Sequence, residues 1–151
     1  NCFVKQPLVK INPAKGGLTM ECLNNAPNTF TRIVANGEDI DGCIFGITST
    51  SGTDEIEISN AEFTDCGHEA SRGGSGGIIY VSLSDADAKI SASNLKFATT
   101  ELFYDAKALN DAVTAGEYVH ISVPAEYTNL PSLVGFLSTD YPSLHASKYV
   151  Y

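Results

Sequence analysis

The residues able to do chemistry are few and widely spaced. Cys66 precedes His68 and Glu69, a grouping in which an imidazole could accept a thiol proton and leave a nucleophilic thiolate. The same cysteine closes a recurring apolar pattern, and a cysteine held by such a pattern reads as structural. The run Asn36-Gly37-Glu38-Asp39-Ile40-Asp41-Gly42 gathers oxygen donors before a glycine, as a calcium loop does. It lacks the Asp-x-Asp-x-Asp-Gly spacing and the glutamate at the twelfth position, so it reads as a solvated acidic turn. Gly73-Gly74-Ser75-Gly76-Gly77 has no Gly-Lys-Ser/Thr ending and leads into a strand, which argues against a phosphate cradle. His120 and His145 have no Ser, Cys or second His at a recognised spacing. Paired carboxylates need no sequence signature and are not addressed by motif. No catalytic residue, metal ligand or cofactor is assigned, and the chain is not expected to be an enzyme.

Composition sets the scaffold that would have to position such groups. The chain has 151 residues, enough for one domain with one core. Apolar residues make up 43% and charged residues 18%, a balance that suits a turn-rich β protein. The net charge is -9, with nine Lys and Arg among eighteen carboxylates, which argues against a nucleic-acid partner. No stretch reaches the roughly eighteen continuous apolar residues of a membrane span, and no charged segment precedes an apolar one at the amino end. Starting on Asn1, the sequence is expected to be a processed product or a piece of a longer chain, either of which suits an extracellular or cell-surface protein. No Asn-x-Ser/Thr sequon occurs, so any glycosylation is expected to be O-linked, with Thr48 to Thr53 the densest hydroxyl cluster.

The four cysteines, Cys2, Cys22, Cys43 and Cys66, recur at nearly even intervals, and none forms a Cys-x-x-Cys pair. Such regular spacing points to a repeat. Ile33, Ala35, Gly37 and Ile40 precede Cys43 at the offsets by which Ile56, Ile58, Asn60 and Phe63 precede Cys66. Ile90, Ala92, Asn94 and Phe97 stand the same way before Thr100. Two apolar residues two apart make one strand face, and an Asn or Gly after them tolerates a left-handed bend. Units of about 20 to 23 residues cannot bury an apolar face alone and must stack. The spacing predicts a ladder of Ile33, Ile56 and Ile90 along one wall, with Ile58, Phe63 and Phe97 pointing into one core. It also places cysteines as ladder neighbours, with disulfides Cys2 to Cys22 and Cys43 to Cys66. A β-sandwich is the competing architecture, because it too has short alternating strands.

The motifs Ile56-x-Ile58-x-Asn60-x-x-Phe63-x-x-Cys66 and Gly76-Gly77-Ile78-Ile79-Tyr80 resemble the right-handed parallel β-helix repeats of large surface proteins. Chlamydial polymorphic outer-membrane proteins and cysteine-containing surface proteins of protists are of this kind. The resemblance spans roughly residues 33 to 104. It implies a role in surface structure or adhesion, with no catalytic residues to carry over.

The expected fold is therefore mainly β: a short right-handed parallel β-helix of about four rungs over residues 1–104, closed by an irregular α/β cap over 105–151. Leu102, Phe103, Ala106, Leu109, Ala112 and Val113 approximate helical spacing before Gly116, and a strand is expected from Tyr118 to Val123. The amino end, Asn1-Cys2-Phe3-Val4, has no such cover and is the expected assembly edge. The expected function is an extracellular structural or adhesive module that assembles end to end, its partners being copies of itself and surface glycans or matrix. The alternatives are a carbohydrate-active β-helix enzyme and a sandwich-type fimbrial subunit completed by a neighbour's strand.

Overall fold

The computed structural model describes residues 2–11, 17–20, 22, 24–68, 77–98, 119–127 and 147–150. Among them are twelve strands and no helix: β1 (Cys2–Val4), β2 (Val9–Ile11), β3 (Gly17–Met20), β4 (Asn28–Thr31), β5 (Ile33–Ala35), β6 (Phe45–Ser49), β7 (Glu55–Thr64), β8 (Gly67–His68), β9 (Ile79–Leu83), β10 (Lys89–Ala98), β11 (Val119–Ser122) and β12 (Ser147–Val150). The protein is mainly β, and the sheets are parallel throughout. The antiparallel pairing of a sandwich is absent among the described residues.

The strands sort into three sheets. The first runs β1-β5-β8 and the second β2-β6-β9-β11-β12; in the third, β7 lies between β10 on one side and β3 with β4 on the other. From β1 to β10 the chain passes through the first, second and third sheets in the same order three times. Each strand then pairs with the strand its sheet receives one circuit later. Parallel neighbours need a long crossover, and here the strands of the other two sheets supply it.

This topology corrects the repeat length. The longest pairing, β7 on β10, keeps one constant offset from Glu55↔Lys89 to Thr64↔Ala98, the separation of 34 that also divides Asn60 from Asn94. Phe45↔Ile79 holds the same offset in the second sheet, while Cys2↔Ile33 is slightly shorter and Val9↔Phe45 slightly longer. Ile56 therefore faces Ile90, and Phe63 faces Phe97. Ile33 does not belong to that wall: it lies in the first sheet opposite Cys2, while Leu18 takes the place beside Ile56. The shorter spacing of the cysteines covers only part of a circuit, so it links different sheets instead of neighbouring strands.

One backbone feature shapes the third sheet. Along β7, Ile56 and Ile58 are buried and Glu57 is exposed; after Asn60 the buried positions become Ala61 and Phe63. Asn60 has a φ of 50°, in the left-handed region that Asn tolerates better than most residues, and a single such residue bends the strand and inverts its alternation. Asn94 repeats this at 53° in β10, and its Nδ2 donates to Asn60 Oδ1 at 2.8 Å. Arg32 and Asp65, at 56° and 53°, mark the corner between the third and first sheets, where Arg32 Nε lies 3.7 Å from the buried Asp65 carboxylate.

Between the sheets lies one core. Phe30, Phe63 and Phe97 stack with ring centroids 5.2 and 5.1 Å apart and planes within 14°. Phe45 meets Phe30 and Phe63 edge-on at 5.9 and 6.4 Å. Ile56, Ile58, Ile90, Ile44, Ile47, Ile78 and Ile79 complete the largest buried side chains. Ser49 and Asp54, both fully buried at the turn before β7, satisfy one another: Ser49 Oγ donates to Asp54 Oδ2 at 2.6 Å.

The expected α/β cap is replaced, where residues are described, by more sheet. β11 pairs with β9 and β12 pairs with β11, so part of 105–151 extends the second sheet. Val119 and Ile121 continue the buried columns of Ile79 and Val81, and Val123 and Tyr127 join the same core. The helix expected over residues 102–113 lies outside the described residues.

Phe63→Ala removes the middle ring of the stack and is expected to lower unfolding stability by on the order of 3–5 kcal/mol in urea titrations. A loss below about 1 kcal/mol would contradict this packing.

Candidate functional site

The sequence-derived positions fall in three places. Ile56, Ile58, Asn60 and Phe63 lie on β7, in contact with Ile90, Asn94 and Phe97 of β10. These are the stacked columns of the core and its bend. The expected assembly edge, apart from Asn1, which lies outside the described residues, is β1. Cys2 and Phe3 are exposed there, Val4 is half-buried, and β1 pairs only with β5 among the described residues. Phe3 and Leu8, 54% and 51% exposed, are the large apolar residues left open to solvent among those described, and both belong to the first circuit.

The cysteines form the third group, and all four are free thiols. The structure holds neither the Cys2 to Cys22 nor the Cys43 to Cys66 disulfide. Cys2 faces Ile33, Cys22 lies between β3 and β4, and the amide of Cys43 donates to the Gly77 carbonyl at 3.2 Å. Cys43 and Cys66 are nevertheless both buried and electrostatically close, Cys43 Sγ donating to the Ile33 carbonyl at 3.6 Å and Cys66 Sγ to those of Phe30 and Thr64 at 3.4 Å. Burial pushes the Cys66 thiol up to about 11. Burial, and then the neighbouring Cys66, holds Cys43 well above the ordinary thiol value. A nucleophile needs the opposite shift, which argues against a reactive thiolate at Cys66. His68 stands in β8 opposite Ala35, and Glu69 lies outside the described residues.

A further site is absent from the sequence reading. On the outer face of the second sheet, Lys10, Gly46 and Tyr80 occupy one column across β2, β6 and β9. Residues 5–7 and the acidic turn 36–42, stacked on one another at the corner between the first and second sheets, border this column. The turn is held low by Gly42, whose φ of 71° suits glycine and where a Cβ would collide with the Phe45 carbonyl and the Tyr80 amide. At Gly46 a Cβ would stand 2.6 Å from Pro7 Cγ and 2.9 Å from the Asp41 carbonyl, so the two segments close over that position. A cleft of about 330 Å³ results, with Lys5 and Lys10, Glu38 and Asp39, and Thr48 and Tyr80 among its walls. No three His, Cys, Asp or Glu residues converge on a metal-sized site among the described residues. The cleft draws on three circuits, so no local motif could announce it. The visible signal is that Gly46 and Tyr80 hold the same one-circuit offset as Asn60 and Asn94.

In the folded protein, Cys2 is expected to react with iodoacetamide well ahead of Cys43 and Cys66, as read by peptide mass mapping. Equal rates would contradict the burial. Each raised thiol stabilises the fold fully below the unfolded thiol pKa near 9, and for Cys66 that stability is lost as pH rises towards about 11. The loss expected from Cys66 is roughly 2–3 kcal/mol, and Cys66→Ala should remove its share of the slope in urea titrations run across that range.

Compared with protein-family models, with curated proteins and with solved structures, the chain finds no match in any of the three.

Proposed function

We propose that this chain is a structural, adhesive module of a cell surface, built as a short right-handed parallel β-helix. The observation that carries the reading is the cyclic order of strands β1 to β10: three parallel sheets filled in rotation, the strands of the second and third circuits each lying on a counterpart from the circuit before. Circuits of that kind are the rungs of a solenoid, in which each unit is stable only against its neighbours. Right-handed crossover between parallel strands is the strong general preference and sets the hand of the coil.

A solenoid of this type serves as a rigid spacer with a repeating surface. Its side walls here are polar, with cross-rung pairs such as Lys89 to Glu55 at 2.7 Å and Lys96 to Glu62 at 3.1 Å. Exposed pairs of that kind add little stability, but they keep the walls soluble. The first circuit differs, because Phe3 and Leu8 are open beside strand edges that could take another strand. Joining that edge to a different surface on a second copy is a heterologous contact, which propagates into a filament unless the rotation closes a ring. A net charge of -9 restrains indiscriminate association in solution. No catalytic role is part of this reading.

Sedimentation velocity of the 151-residue chain from low to high micromolar concentration tests the assembly. The average mass is expected to rise with concentration, and Phe3→Lys should suppress the rise without changing far-ultraviolet circular dichroism. A monomer at every concentration would remove end-to-end assembly from the proposal.

A further inference from the structure

We infer that the cleft over Lys10, Gly46 and Tyr80 binds a small zwitterion, a molecule carrying an ammonium group and an anionic oxyacid group a few bonds apart. The charge pairing of the molecule leads to this. Arg32, Lys89 and Lys96 each stand against a carboxylate, at 3.7, 2.7 and 3.1 Å. Lys5 and Lys10 have no such ion pair among the described residues, and both line the cleft. Glu38 and Asp39 line it too, are exposed, and have no ion pair of their own among the described residues. Asp41 lines it as well, so Lys5 and Lys10 share one concavity with three carboxylates.

The backbone sets where each of them stands. Lys10 is fixed by β2 in register with Gly46, and Lys5 lies in the segment leading to it. Glu38 and Asp39 sit on the turn between β5 and β6, with Asp39 held at a φ of 53° and the end of the turn pinned by Gly42. The cleft therefore has basic groups on the first circuit and acidic groups on the second. A purely anionic ligand would meet the carboxylates, and a purely cationic one would meet the lysines. A zwitterion satisfies both: its oxyacid accepts from the Lys5 and Lys10 ammonium groups, and its ammonium lies against Glu38 and Asp39. Tyr80 adds an aromatic ring at the same site, the group that attracts an alkylated ammonium most readily after indole. Thr48 offers a hydroxyl that can donate or accept. A volume of about 330 Å³ is at the lower end of small-molecule sites and suits a ligand of headgroup size.

Such a group occurs free in solution and at the surface of a phosphatidylcholine membrane. The chemistry is the same, and the test separates the sources. Phosphocholine is titrated into the full chain labelled with nitrogen-15, with choline and inorganic phosphate as single-charge controls. Saturable shifts are expected at the amides around Lys10, Asp39 and Tyr80, with either control at least tenfold weaker. Lys5→Ala with Lys10→Ala, and separately Glu38→Gln with Asp39→Asn, should each weaken phosphocholine binding at least tenfold; all four side chains are exposed, so an unchanged amide spectrum elsewhere serves as the folding control. Cosedimentation with phosphatidylcholine vesicles assigns the headgroup as the source, and binding of free phosphocholine without cosedimentation assigns the soluble molecule. The inference is overturned if phosphocholine gives no saturable shift, if inorganic phosphate or choline binds as tightly, or if both double variants bind unchanged.

Discussion

When parallel strands lie in register, each side chain sits on its counterpart about 4.8 Å away, so a residue is judged by whether it tolerates its own kind as a neighbour. Apolar and aromatic residues do, which is why Phe30, Phe63 and Phe97 can form a continuous stack and Leu18, Ile56 and Ile90 a continuous wall. Asn tolerates it as well, since the amide of Asn94 donates to that of Asn60. Charges do not, and the outer face answers by alternating sign between circuits: Glu55 with Lys89, and Glu62 with Lys96. The rest of the structure follows from keeping that register through turns of unequal length.

The insertions show how this is done. β3 and β4 both lie on β7, yet Met20 pairs with Ile58 and Asn28 with Ala61, so a longer stretch of the first circuit is matched by only Ser59 and Asn60 of the second. The extra residues are accommodated at the bend that Asn60 makes with its positive φ, where the alternation changes phase in any case. The second sheet behaves alike: the path from Ile79 to Val119 is longer than that from Phe45 to Ile79, while Val119 and Ile121 keep their buried columns. The lengths between paired strands vary, and register is kept along the strands.

That division explains what was legible in the sequence. The match of Ile56, Ile58, Asn60 and Phe63 with Ile90, Ala92, Asn94 and Phe97 was readable, because two complete strands without insertions carry the same pattern. The mainly β character followed from composition. The length of the circuit was not readable from the cysteines, because cysteines a partial circuit apart mimic a shorter repeat. The segment Ile33 to Cys43 copies the spacing of the true repeat but crosses from the first sheet towards the second, and Gly37, unlike Asn60, has no positive φ. The cleft was invisible for a different reason: Lys10, Asp39 and Tyr80 are brought together only by stacking of three circuits.

The central claim is a register of one full circuit between parallel strands, and cross-linking reads it directly. Glu57 and Ser91 are exposed and paired across β7 and β10, at a separation that a disulfide can bridge. In a background where Cys2 and Cys22 are changed to Ser, the double variant Glu57→Cys with Ser91→Cys should form an intramolecular disulfide under mild oxidation. Val34→Cys with Glu57→Cys, which reproduces the spacing of Cys43 and Cys66 but spans different sheets, should not. Cross-linking of the second pair and not the first would contradict the account.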